Sequence, residues 1–299
     1  MAEYRAVRDR LGFLGLCKTP EAAAEVTVTA VERLGVDAAI IFADILLILE
    51  PMGASLEYAT GDGPVIHDPI RSGADIDRLR EPEIDALGYV YDAIRLARRD
   101  LRVPLIGFAG APFTLATYLV EGGASSTYLR TKTLMQSDPG AFDALMARLV
   151  RALSAYVNAQ VAAGAQAIQL FDSWVGALAP ADYRRHVLPH MQRLIAAIDP
   201  SVPVINFGTG TGGLLECLRA GGGSVIGLDW RVDLDAAWAR LGPDVAVQGN
   251  LDPVTLFAPI PAIRDAAARI LGRRAGGRGT CSISGMACCP RRRSITCGR

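Results

Sequence analysis

Apolar and polar positions along the chain fall into two alternating textures. Short runs at 38–46, 103–109, 166–172, 203–207, 224–230 and 244–250 are apolar throughout, without the in–out alternation of a half-exposed strand. Strands covered on both faces look like this, as in a parallel sheet between helix layers. Between them lie longer stretches with helical periodicity, at 20–34, 84–99, 140–163, 181–198 and 212–221. Thr19-Pro20-Glu21 predicts a helix start, with proline at the first helical position. Pro189 predicts an interruption of the fourth stretch. Repeated strand-then-helix units imply right-handed crossovers within one parallel sheet. No linker or internal repeat divides the chain, so one domain is expected.

Pattern alone does not separate an open sheet from a barrel. The strand ends favour a barrel. Asp44, Gly110, the Asp172-Ser173 pair, Gly208, Asp229 and Asn250 each stand at or just beyond the end of an apolar run. In a barrel those ends converge on one mouth, where the site is built. In an open sheet they would line a crevice.

Composition narrows the function classes. The 31 basic and 31 acidic residues cancel, which gives no electrostatic footprint for nucleic acid or a membrane surface. An acidic small molecule remains possible, because a neutral protein can hold a basic pocket. The opening Met1-Ala2-Glu3-Tyr4-Arg5 lacks the apolar core of a secretory signal. The run 38–49 is interrupted by Asp44 and is short of the roughly 20 residues a membrane span needs. The chain reads as cytosolic.

Three motifs invite other chemistry. Gly208, Gly210 and Gly213 satisfy G-x-G-x-x-G after a strand, and Asp229 ends the next strand near the place of a ribose-binding acid. Such fingerprints usually open a chain's first βαβ unit, and this one lies late, so a tight turn at the barrel mouth is the competing reading. His186 and His190 are spaced i, i+4 but bracket Pro189 and lack the glutamate of a zinc-protease helix, and His67 lies in a loop, so all three histidines read as structural. Cys281, Cys288, Cys289 and Cys297 crowd the C-terminal end without a Cys-x-x-Cys pair, a poor arrangement for zinc.

The segments EYRAVR (3–8), GVDAAIIFADIL (35–46), VPLIGFAGAPFTLATYLVEGG (103–123), GAQAIQLFDSWVG (164–176), VIGLDWRVDL (225–234) and QGNLDP (248–253) resemble the uroporphyrinogen decarboxylase family, in that family's order. The resemblance covers residues 3 to about 278. It implies a (β/α)8 TIM barrel, usually a homodimer, using neither metal nor cofactor. The implied reaction decarboxylates the four acetate side chains of uroporphyrinogen III to give coproporphyrinogen III in heme and tetrapyrrole biosynthesis. Loss of CO2 needs an electron sink, which the pyrrole supplies once a ring carbon is protonated. The protein must then stabilise a cationic ring, bind carboxylates and offer protons. Carried over residue by residue, the resemblance sets Asp44 against the pyrrole N–H groups as acceptor and counter-charge. It sets Tyr118 and Ser173 near substrate carboxylates or adjoining polar groups, with Arg8 as a further cation. From the residues alone, Asp44 is equally a solvated strand end, Tyr118 a core aromatic, Ser173 a helix cap and Arg8 a surface residue. A cobamide-dependent methyltransferase of the same superfamily, or an inactive member, is the alternative.

The sequence departs from the family in two places. The family's first strand ends in R-Q-A-G-R ahead of the EYRAVR equivalent, and here Glu3 follows Met1-Ala2 directly. After Arg278 the family reads like G-H-V-F-N-L-G-H-G-V-L-P, where this chain has Gly279-Thr280-Cys281 and onward. Back-translated and read one base earlier, those codons permit H-V-F-N-L-G-H-G-V-L-P. The expectation is therefore a barrel domain over 1–278 and an out-of-frame tail over 279–299. The first strand would be missing and the last scrambled, with 38–46 and 244–250 left as sheet edges and turnover impaired.

Overall fold

The computed structural model describes residues 1–59 and 63–272 and the backbone of Thr280–Cys281. Nine strands are present among them: β1 Ala39–Ile40, β2 Leu56–Ala59, β3 Gly63–Ile66, β4 Leu105–Gly110, β5 Ala167–Asp172, β6 Val204–Gly208, β7 Val225–Gly227, β8 Ala246–Gln248 and β9 Thr280–Cys281. Seven form one parallel sheet in the order β1-β4-β5-β6-β7-β8-β9, with helices returning the chain between neighbours. This is the α/β architecture of the TIM-barrel class, open among the described residues between β1 and β9. No described helix is long and apolar enough to cross a membrane.

Register decides which side chains face which layer. Leu170 pairs with Asn206 and Asp172 with Gly208, so these four share one face of the sheet. The Asn206 amide donates to the carbonyls of Leu218 and Gly222, which identifies that face as the one covered by helices. Leu105, Ile168, Leu170, Ile226 and Val247 bury themselves there, together with Phe113, Leu145, Leu149 and Leu218 from the helix layer. Each such Leu or Phe contributes roughly 2 kcal/mol through burial. The opposite face carries Phe108, Phe171 and Phe207, whose rings meet edge-on at 5.5 and 5.7 Å across three neighbouring strands.

Helices predicted at 20–34 and 140–163 are observed as Pro20–Leu34 and Pro139–Ala163. The stretch 181–198 splits into Pro180–His186 and Leu188–Ala197, broken just before Pro189 as its ring requires.

Two expectations are corrected. The apolar run 38–46 forms only a two-residue strand. The carbonyls of Pro104 and Ile106 accept from Ala39 and Ile41, so the even-numbered peptide groups of β4 face β1. At the next such position no strand continues. The Gln160 side chain instead accepts from Phe108 N–H at 3.0 Å and donates to its carbonyl at 2.9 Å. Gly107 makes room for it, since a Cβ there would lie 2.6 Å from Gln160 Oε1. Released from the sheet, Phe42 donates its N–H to Thr27 Oγ1, and Leu46–Leu49 bury as a turn. The second correction concerns 244–250. β8 is not an edge, because Val247 and Gln248 pair in parallel with Thr280 and Cys281. Apart from that two-residue backbone, the expected out-of-frame tail lies outside the described residues.

Candidate active site

Asp44 lies just beyond β1, at the end of the sheet where the loops after the strands gather. Its Oδ1 accepts the N–H of Leu46 at 2.8 Å, an Asx turn that fixes the side chain against its own backbone. The same oxygen accepts the hydroxyl of Tyr58 from β2. Among the described residues nothing donates to Oδ2. Burial pushes the Asp44 carboxyl above its ordinary range, and the Tyr58 and Leu46 donors work against that shift.

Tyr118 stands in the helix Pro112–Glu121. Its ring lies on Trp174 at 3.9 Å, and Tyr128 approaches the same indole at 5.7 Å. Burial raises the Tyr118 phenol, and the nearby Asp44 carboxylate raises it further, which puts the two residues within electrostatic reach. Ser173 follows β5 directly and is half-buried beside Trp174, without a hydrogen bond to a described residue. Arg8 is exposed on the helix Ala2–Lys18, its guanidinium 5.9 Å above the Phe13 ring. Phe13 packs on Tyr58 at 4.8 Å. A continuous path therefore runs from Arg8 through Phe13 and Tyr58 to Asp44. The structure thus gathers Asp44 with Tyr118, sets Ser173 beside the aromatic that covers Tyr118, and leaves Arg8 two rings away from Asp44.

Asp172 does not join them. It points to the helix side of the sheet, fully buried, with Oδ1 accepting Thr114 Oγ1 at 2.7 Å and Oδ2 unpartnered. Successive strand residues face opposite layers, so Asp172 and Ser173 part company. Burial lifts the Asp172 carboxyl to about 7.

Sequence reasoning missed Tyr58, Trp174 and Tyr128. The alternating Leu56-Glu57-Tyr58-Ala59 followed by Asp62-Gly63 is a hairpin signal that would have placed Tyr58 on a strand.

The glycine-rich segment resolves as a turn. The Gly210 N–H donates to Asp229 Oδ2 at 2.5 Å, and Asp229 also receives the Arg231 N–H at 3.0 Å and the Arg231 guanidinium. An internal carboxylate occupies the donor that a phosphate would need. Each histidine has a local contact: His190 meets Asp143 at 2.9 Å, His67 meets Glu57 at 2.7 Å across the hairpin, and His186 packs edge-on to Phe142. Among the described residues no three His, Cys, Asp or Glu side chains come together to hold a metal ion.

Solved structures share this architecture. A methyltransferase from Methanosarcina mazei superposes with a TM-score of 0.78 at 19% identity, over 94% of this chain and 86% of that one. A putative vitamin-B12 independent methionine synthase from Listeria monocytogenes superposes with a TM-score of 0.56 at 14% identity, over 95% of this chain and 86% of that one. At those identities the likeness is one of fold. Curated sequences are far nearer. A uroporphyrinogen decarboxylase of Sorangium cellulosum (strain So ce56) is 59% identical over 283 residues, 93% of this chain and 80% of its own length. One from Roseiflexus sp. (strain RS-1) is 54% identical over 288 residues, 93% of this chain and 83% of its own length. The sequence model described as Uroporphyrinogen decarboxylase (URO-D) matches residues 1–288. Matched by that model over residues 1–288 and more than half identical to these relatives, the chain belongs to the uroporphyrinogen decarboxylase family.

Proposed function

We propose that this chain removes CO2 from the four acetate side chains of uroporphyrinogen III to give coproporphyrinogen III, with turnover impaired by its departures from the family, in the cytosol and as a homodimer. The observation that carries the reading is the Asp44 carboxylate, with one oxygen held by two protein donors and the other left open. A pyrrole N–H is a donor that matches such an acceptor. Protonation of a pyrrole carbon makes the ring cationic, and a fixed anion beside the ring nitrogens stabilises that charge without reorganising during the step. The C–CO2 bonding pair then flows into the cationic ring and CO2 leaves; a proton delivered to the exocyclic carbon forms the methyl group, and release of the proton first added to the ring carbon restores the pyrrole. Tyr118 and Ser173 contribute polar contacts to substrate carboxylates, and Arg8 a cation beyond the Phe13 ring.

The test is an anaerobic assay of the purified chain with uroporphyrinogen III, its products oxidised to porphyrins and separated by carboxylate number. Asp44→Asn should lower turnover by about 10²–10³-fold, the effect of removing one preorganised charge stabiliser. Equal rates for variant and parent would remove Asp44 from the reaction. The two alternatives are read from the same preparation. Stoichiometric zinc would mark the methyltransferase, and an unsubstituted chain without turnover would mark the inactive member.

A further inference from the structure

The hairpin β2–β3 belongs to neither the sheet nor the helix layer, yet it provides the side-chain hydrogen bond that Asp44 receives. We propose that Tyr58 is a positioning residue for Asp44: its hydroxyl pins Oδ1, so that Oδ2 remains the acceptor for substrate N–H groups, and the hairpin is thereby part of the active site. The inference rests on the decarboxylase reading for its meaning and on contacts within the hairpin for its geometry.

Those contacts leave the Tyr58 ring little freedom. It packs on Phe13 at 4.8 Å, and Phe13 meets Phe42 at 6.1 Å, two residues before Asp44. The hairpin's return strand is itself tied down. Ile66 N–H donates to Gly122 O at 2.9 Å, Ile70 N–H donates to Leu119 O at 2.9 Å, and the Arg71 guanidinium donates to Val120 O. These three acceptors sit at the end of the helix that carries Tyr118. Tyr58 and Tyr118 therefore ride on elements bonded to each other, and Asp44 is in electrostatic range of both.

The surroundings of Asp44 explain why a donor is needed. The titratable groups that face it are Cys17 from the first helix, Tyr58 from the hairpin, Tyr118 from the helix after β4 and Tyr156 from the helix Pro139–Ala163. Each is an acid raised above its ordinary range, so each is neutral near pH 7. None supplies a positive charge. Burial raises the Asp44 carboxyl, and the Tyr58 hydrogen bond is the largest influence opposing it. Removing that donor leaves the carboxylate less stable, so Asp44 keeps its proton to higher pH.

Tyr58→Phe tests this by deleting only the hydroxyl while keeping the ring on Phe13. The acid limb of kcat/KM should move up by about one pH unit, the size expected for one lost hydrogen bond to a charged group. Stability near pH 7 should fall by no more than the roughly tenfold in the folding equilibrium that a one-unit shift entails, which separates positioning from folding. The Asp44 carboxyl is also titrated directly by its ¹³C resonance, assigned through its absence in Asp44→Asn. That readout needs no turnover. If the parent chain proves inactive, the decarboxylase reading fails, while a higher Asp44 titration point in Tyr58→Phe still supports the Tyr58 assignment. Coincident titration curves for parent and Tyr58→Phe would overturn it, whatever the activity.

Discussion

Replacing Asp172 by asparagine is expected to remove a pH dependence of stability that the parent chain carries. Asp172 has no solvent contact, and only one of its two oxygens is hydrogen-bonded. Its carboxyl titrates at about 7 in the folded chain against an ordinary 3.8, because burial disfavours the charged form. Between those two pH values the folded chain holds a proton that the unfolded chain has released. The contribution to stability is therefore complete below about 3.8 and is lost as pH climbs to about 7. The gap is about three pH units, which at about 1.4 kcal/mol each amounts to roughly 4 kcal/mol, and about 3 kcal/mol of it falls above pH 5. His186 and His190 act in the opposite sense, since burial lowers both and their neutral forms are favoured as pH rises. They are common to parent and variant, so the difference between the two isolates Asp172. Asparagine keeps the acceptor for Thr114 and cannot ionise. Urea unfolding at pH 5, 6, 7 and 8 should show the variant gaining on the parent by about 3 kcal/mol across the series. A constant difference over that range, or a parent that gains on the variant with rising pH, would refute the reasoning.

Two further outcomes follow from packing and burial. Gly176→Ala would place a Cβ 2.2 Å from the carbonyl oxygen of Thr209 and 2.7 Å from that of Gly210, forcing apart the loops after β5 and β6. It should destabilise by about 1–3 kcal/mol, the usual range for overpacking, and an unchanged melting temperature would contradict the contact. Cys17 is buried with its thiol pushed up to about 12, so iodoacetamide at pH 8 should leave it unmodified in the native chain and label it after denaturation. Peptide mapping that finds Cys17 labelled equally in both states would contradict that burial.

The strand–helix order was legible because strands covered on both faces must be apolar throughout, and helix ends carry their own proline signals. Pro20 opens a helix and Pro189 breaks one where the sequence places them. What stayed hidden depended on tertiary partners. Leu46–Leu49 are as apolar as a strand because they bury as a turn, and hydrophobicity alone cannot tell the two apart. Asp172 and Ser173 are adjacent in sequence and separated by the sheet, a consequence of strand periodicity that needs the exact register. Asp44 and Tyr118 were found through resemblance and lie in one electrostatic neighbourhood. Tyr58 is bound to Asp44 across fourteen residues, a closeness that only the hairpin creates.

The Gln160 carboxamide bonds both the N–H and the C=O of one β4 residue, Phe108, as a neighbouring strand would. The outer border of the sheet is thereby finished by a helix rather than by more strand. Lengthening, shortening or redirecting the segment after Ile41 therefore leaves no β4 donor or acceptor stranded at that point. The scaffold and the segment bearing Asp44 become separable modules, and the loop can diverge in sequence and length while the sheet beneath it remains complete.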